Sequence, residues 1–214
     1  MGKTKKGTSS NAETLQCVVA LREGNLEAIQ TRVIDGGKDV NAALMGDMTP
    51  CLVVCEEGHA PALRLLASAG ANVNAADDDG ATPCFLAAKS GHLDVVSELA
   101  ELAADLNTQN AQGESPCWAA AQAGHDHIVN ALWRRGADVD AAAKDGTTPR
   151  AIASKHDRAS VVRAFEEIDR SKQAATTPGA AAPVDAPSDA PSTREPSKPS
   201  SAFMFCCSFD HHDD

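Results

Sequence analysis

The chain has 214 residues, 43% hydrophobic and 3% aromatic with no Tyr, and a formal net charge of −11. That length fits one domain with a tail, and the acid excess argues against a nucleic-acid partner, because phosphate neutralisation needs clustered Lys and Arg. Seven Cys is an odd number, and Met1–Asn11 is polar and basic with no apolar leader core. Both features point to free thiols in a reducing, intracellular and cytoplasmic setting, with the nucleus also open, and no stretch is apolar enough to span a bilayer.

In chain order, residues 1–11 form a basic lead expected to be disordered. From Ala12 the chain repeats itself. Cys17, Cys51, Cys84 and Cys117 are separated by 34, 33 and 33 residues. The last three sit in the phrases TPCLVVCEEGH, TPCFLAAKSGH and SPCWAAAQAGH, which start at Thr49, Thr82 and Ser115. A fixed period of this length marks a stacked-repeat architecture. The predicted units are residues 12–43, 44–76, 77–109, 110–142 and a terminal 143–170. In each, a Ser or Thr hydroxyl caps a first helix and Pro takes its first position. Gly58, Gly91 or Gly124 ends that helix in the left-handed conformation. His59, His92 or His125 follows, then a second apolar-periodic helix, then an extended stretch and a turn such as Asp77–Gly80. One such unit is too thin to bury its own apolar face, so neighbours must stack. Residues 171–214 are rich in Ala, Pro and Ser. They are expected to form a disordered tail ending in the apolar AFMFCCSFDHHDD.

The phrases DGATPCFLAAKSGHLDVV and GADVDAAAKDGTTP resemble the ankyrin repeat, and the resemblance runs over Ala12–Arg170. It implies an all-α ankyrin-repeat solenoid of helix-turn-helix units with hairpin loops. It departs from the family where Cys51-Leu52, Cys84-Phe85 and Cys117-Trp118 replace the usual Leu-His pair, so the family's Thr-to-His hydrogen bond is lost. Ala103 replaces a helix-ending Gly, which predicts a softer third repeat. Trp118 and Trp133 fall at positions that the family uses for packing.

The resemblance further implies a protein-interaction module or scaffold without catalysis of its own, binding its partner along a concave face of hairpin tips and first helices. By register that face holds Met45, Met48, Glu56 and Glu57 in the second repeat. The third supplies Asp78, Asp79, Ala81, Lys89 and Ser90, the fourth Gln112, Glu114 and Gln122, and the fifth Lys144, Asp145 and Lys155. The third repeat carries seven acids and one base, whereas residues 143–170 carry six bases and five acids. A partner with a basic segment over the second and third repeats is therefore expected, bound to a monomeric array.

Other chemistry is weakly signalled. Cys17, Cys51, Cys84 and Cys117 recur at the repeat period rather than in the close pairs of a zinc site, and Cys51 and Cys55, four apart, are two thiols alone, so no metal or cofactor is expected. The chain contains no G-x-S-x-G, P-loop or H-E-x-x-H, and Asp77–Asp79 lack the spacing of a calcium loop. Cys206 and Cys207 lie in an apolar run suited to lipidation, which defines an alternative reading as a lipid-anchored membrane adaptor. A regulatory subunit of an enzyme complex is a third.

Overall fold

The computed structural model describes the backbone of residues 10–37, 39–44 and 46–176, with side chains from 12 to 174. All of them belong to one compact unit, Met1–Thr177, and the second unit, Pro178–Asp214, lies outside the described residues. The described residues hold ten α-helices. The inner helices are α1 (Ser10–Arg22), α3 (Pro50–Glu56), α5 (Pro83–Ser90), α7 (Pro116–Ala123) and α9 (Pro149–Lys155). The outer helices are α2 (Leu26–Ile29), α4 (Ala60–Ser68), α6 (Leu93–Glu101), α8 (Asp126–Arg134) and α10 (Ala159–Thr176). Each inner helix packs on the next inner helix and each outer helix on the next outer one, giving two layers.

Local chemistry sets each helix. The Thr49, Thr82, Ser115 and Thr148 hydroxyls accept the amides of Leu52, Phe85, Trp118 and Ala151 at 3.2–3.4 Å. These contacts satisfy one orphan donor per helix, and Pro at the first position removes another. At the far end Gly91 and Gly124 cap α5 and α7 with φ of 91° and 96°. Gly58 has another reason to be Gly. A Cβ there would lie 2.6 Å from the His92 ring, so the next repeat could not close against it.

One continuous apolar core runs from Cys17 to Ile168 between the layers. Leu63, Leu66, Leu99, Ile128 and Leu132 are fully buried, each stabilising by about 1.5–3 kcal/mol relative to exposure. The row Cys17, Cys51, Cys84 and Cys117 is buried within it. Burial pushes the Cys84 and Cys117 thiols up to about 12, so they act as small apolar groups and not as thiolates.

Three boundaries differ from the sequence expectation. α1 begins at Ser10, inside the expected lead. α10 continues past Arg170 to Thr176, because Ser171–Thr176 contains no Pro or Gly and the Lys172 ammonium reaches the Asp140 carboxylate at 2.8 Å. The outer helix of the first repeat closes in a π-helical turn, Gln30–Ile34, in which the Asp35 amide donates to the Gln30 carbonyl at 2.8 Å.

Candidate partner-binding surface

The hairpins that join the helix pairs are closed one by one and tied to each other. Within them, the amides of Leu44, Asp77, Asn110 and Ala143 donate to the carbonyls of Met48, Ala81, Glu114 and Thr147. Between them, the Asp78 amide donates to the Asp47 carboxylate at 2.7 Å and the Ala111 amide to the Asp79 carbonyl at 2.8 Å. The Lys144 amide donates to the Gln112 carbonyl at 3.0 Å, and its ammonium reaches the Ala111 carbonyl at 2.7 Å. At the hairpin base the Asn41, Asn74 and Asn107 side-chain oxygens accept the amides of Asn72, Asp105 and Asp138 at 2.7–2.9 Å. Asp140 holds the corresponding place in the fourth unit and binds Lys172 instead.

The other end of the inner helices is stitched with the same period. His59 Nε2 bonds the Arg22 carbonyl at 2.6 Å, and His92 Nε2 bonds the Glu56 carbonyl at 2.9 Å. His125 bonds the backbone of Lys89. A carbonyl only accepts, so His59 and His92 carry their proton on Nε2. Arg158 replaces His in the terminal unit and donates from Nε to the Gln122 carbonyl at 3.1 Å. These bonds hold the tip row and the helix-end row as a preformed surface.

Most of the residues placed on this surface by register are accessible. Glu56, Glu57, Asp78, Asp79, Lys89, Ser90, Gln112, Lys144, Asp145 and Lys155 are exposed, and Met48, Glu114 and Gln122 are half-buried. Met45 lies outside the described residues, as do Cys206 and Cys207. Ala81 is a correction. It is buried against Phe85 and Ala119, because the base of the hairpin folds down onto the inner helices. Its side chain therefore cannot meet a partner.

The structure also divides the acids of the third repeat by role. Glu98 is buried and accepts a two-pronged hydrogen bond from Arg64, with Nε at 2.8 Å. The Arg64 guanidinium holds the Glu98 carboxyl below the usual carboxylate range. Glu101 pairs with Arg135 at 3.8 Å. Asp105 accepts bonds from the Asn107 amide and the Thr108 hydroxyl, which lower its pKa. Asp77 accepts the Ala81 amide at 2.6 Å. Asp78 and Asp79 are thus the carboxylates that the hairpin tip leaves toward solvent. In the terminal unit the Asp145 carboxylate takes the Thr147 hydroxyl and amide at 2.7 and 2.8 Å, which also lower its pKa.

Trp118 is buried, with its indole Nε1 unpartnered among the described residues, and Trp133 is half-buried against the core. Both are packing residues. Among the described residues no three His, Cys, Asp or Glu side chains gather into a metal-binding group, and no helix is long and apolar enough to cross a membrane.

A two-layer stack of capped helix pairs joined by interlocked hairpins is a repeat solenoid, in which each unit contacts only its neighbours. The sequence matches the family described as ankyrin repeats (3 copies) over residues 17–110, and ankyrin repeat over residues 112–144. The chain is a member of the ankyrin repeat family, whose repeats generally serve as protein–protein interaction modules. No curated protein matches it.

Proposed function

We propose that this chain is a non-catalytic scaffold that binds a protein partner along the row of hairpin tips and inner-helix ends, with a basic segment of that partner over the second and third repeats. The observation that carries this reading is the placement of Glu56, Asp78 and Asp79. All three are exposed, and they lie in adjacent units of a surface locked by backbone hydrogen bonds. A preformed surface binds with little rearrangement. Complementary charge speeds encounter and selects the partner more than it sets affinity. Toward the last unit Lys144 and Lys155 bring positive charge, which favours the partner's basic segment toward the second and third units.

The test is affinity capture with the full chain and with a Glu56→Gln, Asp78→Asn, Asp79→Asn variant. Asp47 and Asp77 are left intact because they hold the hairpin. The reading expects one dominant partner whose association rate falls with added salt and falls in the variant. A partner captured equally by both, with rates flat across salt, refutes it.

A further inference from the structure

We propose that the turns joining inner to outer helices in the third, fourth and fifth units form a pH-gated docking surface for an acidic segment of the partner protein. It rests on the scaffold reading, and gives the partner a second segment opposite in charge to the first. The five turns fall in register at residues 22–27, 56–61, 89–94, 122–127 and 155–160. The first two hold one base, Arg22, against Glu23, Glu27, Glu56 and Glu57. The last three hold Lys89, Lys155 and Arg158 against Asp94, Asp126 and Asp157, so their fixed charges cancel. Imidazole sets these three turns apart. They contain His92, His125, His127 and His156, whereas the first two contain only His59. The row therefore carries no net charge while its imidazoles are neutral, and becomes cationic when they take up protons.

The fold draws these groups together. The His125 ring lies against Gly91 of the preceding unit, 2.8 Å from where a Cβ would stand there, and bonds the Lys89 backbone. The His127 ring meets it edge-on, with centroids 5.8 Å apart. From the following unit the Arg158 side chain lies over Gly124 and donates from Nε to the Gln122 carbonyl at 3.1 Å, which leaves its terminal nitrogens to solvent. Three helices pack on α8. The α7 helix brings no charge, Arg158 stands just ahead of α10, and Asp94 holds on α6 the place that His127 holds on α8. Asp126 lies between the two imidazoles in sequence. Among the described residues no ion pair joins the bases of this row to its acids. Lys89, His127, Lys155, His156 and Arg158 are all exposed.

Protonation leaves the stack closed. His92 bonds the Glu56 carbonyl through Nε2, and an imidazolium keeps that donor while it gains its second proton on Nδ1. Burial lowers the His125 imidazole, and neighbouring His127, Arg158 and His92 lower it further. An acidic chain laid across the cluster offsets that repulsion, so anion binding and proton uptake reinforce each other. Charge complementarity thus selects an acidic segment. The chain's own acidic end fits less well. Its Asp210, Asp213 and Asp214 are interrupted by His211 and His212, which gain positive charge in acid and cancel most of the negative charge just as the surface turns cationic.

The experiment is fluorescence anisotropy of a labelled deca-aspartate peptide titrated with the full chain at about pH 6 and about pH 7.5, on either side of the ordinary imidazole value. Aspartate stays ionised at both. Wild type is expected to bind about tenfold or more tightly at the lower pH. A His127→Gln, His156→Gln variant keeps the stacking bonds of His92 and His125 and should lose most of that gain. A His127→Lys, His156→Lys variant should bind at the higher pH, where no acid acts on the fold. An Asp210→Asn, Asp213→Asn, Asp214→Asn variant should bind as wild type does. The Glu56→Gln, Asp78→Asn, Asp79→Asn variant should keep the pH response, so this surface and the one that carries the scaffold reading fail separately. Wild-type affinity that is absent or equal at the two pH values overturns the proposal. So does a Gln variant with the full pH response, or a Lys variant that fails to bind at the higher pH. Tighter binding by the Asp210, Asp213 and Asp214 variant would make the chain's own acidic end the occupant and overturn it too.

Discussion

Ala103 is the place where one methyl group should be felt. It occupies the register of Gly70 and Gly136, whose φ values are 89° and 83°, and it is held at φ 55°. The cause is the way α6 ends. The Ala104 amide donates to the Leu99 carbonyl at 2.9 Å, and the Ala103 amide to Ala100 at 3.3 Å. This closure needs a left-handed residue whatever its side chain. The left-handed conformation costs an L-residue about 1–2 kcal/mol. Glycine removes that cost but adds about 0.5–1 kcal/mol of unfolded-chain entropy. Ala103→Gly should therefore stabilise the array by about 0.5–1 kcal/mol, and raise its melting temperature by about 1–4 °C for a fold of this size. Asp157, at φ 54°, is the control. Asp tolerates this region better than Ala, so Asp157→Gly should gain less. Thermal unfolding followed by circular dichroism reads both. A melting temperature that is unchanged or lower in Ala103→Gly would refute the strain argument.

Glycines of equal φ should differ in cost according to what faces them. Gly58→Ala meets the His92 ring at 2.6 Å, whereas Gly70→Ala meets nothing within 4 Å. Chemical denaturation should show about 1 kcal/mol lost at Gly70 and clearly more at Gly58. Stability should fall with acid in two windows. The His125 pKa is lowered by burial and by nearby His127. Its contribution is therefore complete above the ordinary value near 6.5 and fades as pH drops through the folded value. The depressed Glu98 carboxyl, bound by Arg64, adds stability above the ordinary carboxylate value of about 4.3 that is lost as pH falls below it. His125→Gln should flatten the first window and Glu98→Gln the second, read from denaturation midpoints across pH. In a Cys206→Ser, Cys207→Ser background, the five buried thiols should resist a thiol reagent near neutral pH and react together on unfolding. Fast modification of the folded protein would contradict their packing role.

What the sequence revealed best was what is decided locally. Thr49, Thr82, Ser115 and Thr148 mark helix starts because capping needs only a hydroxyl and an amide three residues on. Gly58, Gly91 and Gly124 mark helix ends because the left-handed turn that closes a helix is set by local backbone geometry; the close approach of His92 to Gly58 was not legible. Ala103 could be flagged by register alone. Contacts between units were harder to read. The His residues were visible at fixed spacing, but their bonds to the preceding unit's carbonyls were not. Arg158 does the same work with an unrelated side chain, and only its position relates it to His125. Ala81 was misplaced because a family register gives a position on the surface without saying how deeply the hairpin folds down. Composition set the tail at Ser171, yet the helix continues to Thr176, because Pro178 and not the drop in apolar content is the first residue that opposes it. The charge of the third repeat was countable, but which acids are engaged by Arg64, Arg135 or backbone amides is a property of the packing.

Every unit of the array borrows its stability from its neighbours by stacking. The most direct measurement is the circular dichroism of a peptide covering residues 77–109, the third unit alone. Stripped of α3 and α4 on one side and of α7 and α8 on the other, it should give the spectrum of an unfolded chain with no cooperative melt. A compact, cooperatively melting peptide would contradict nearest-neighbour stacking as the source of the fold.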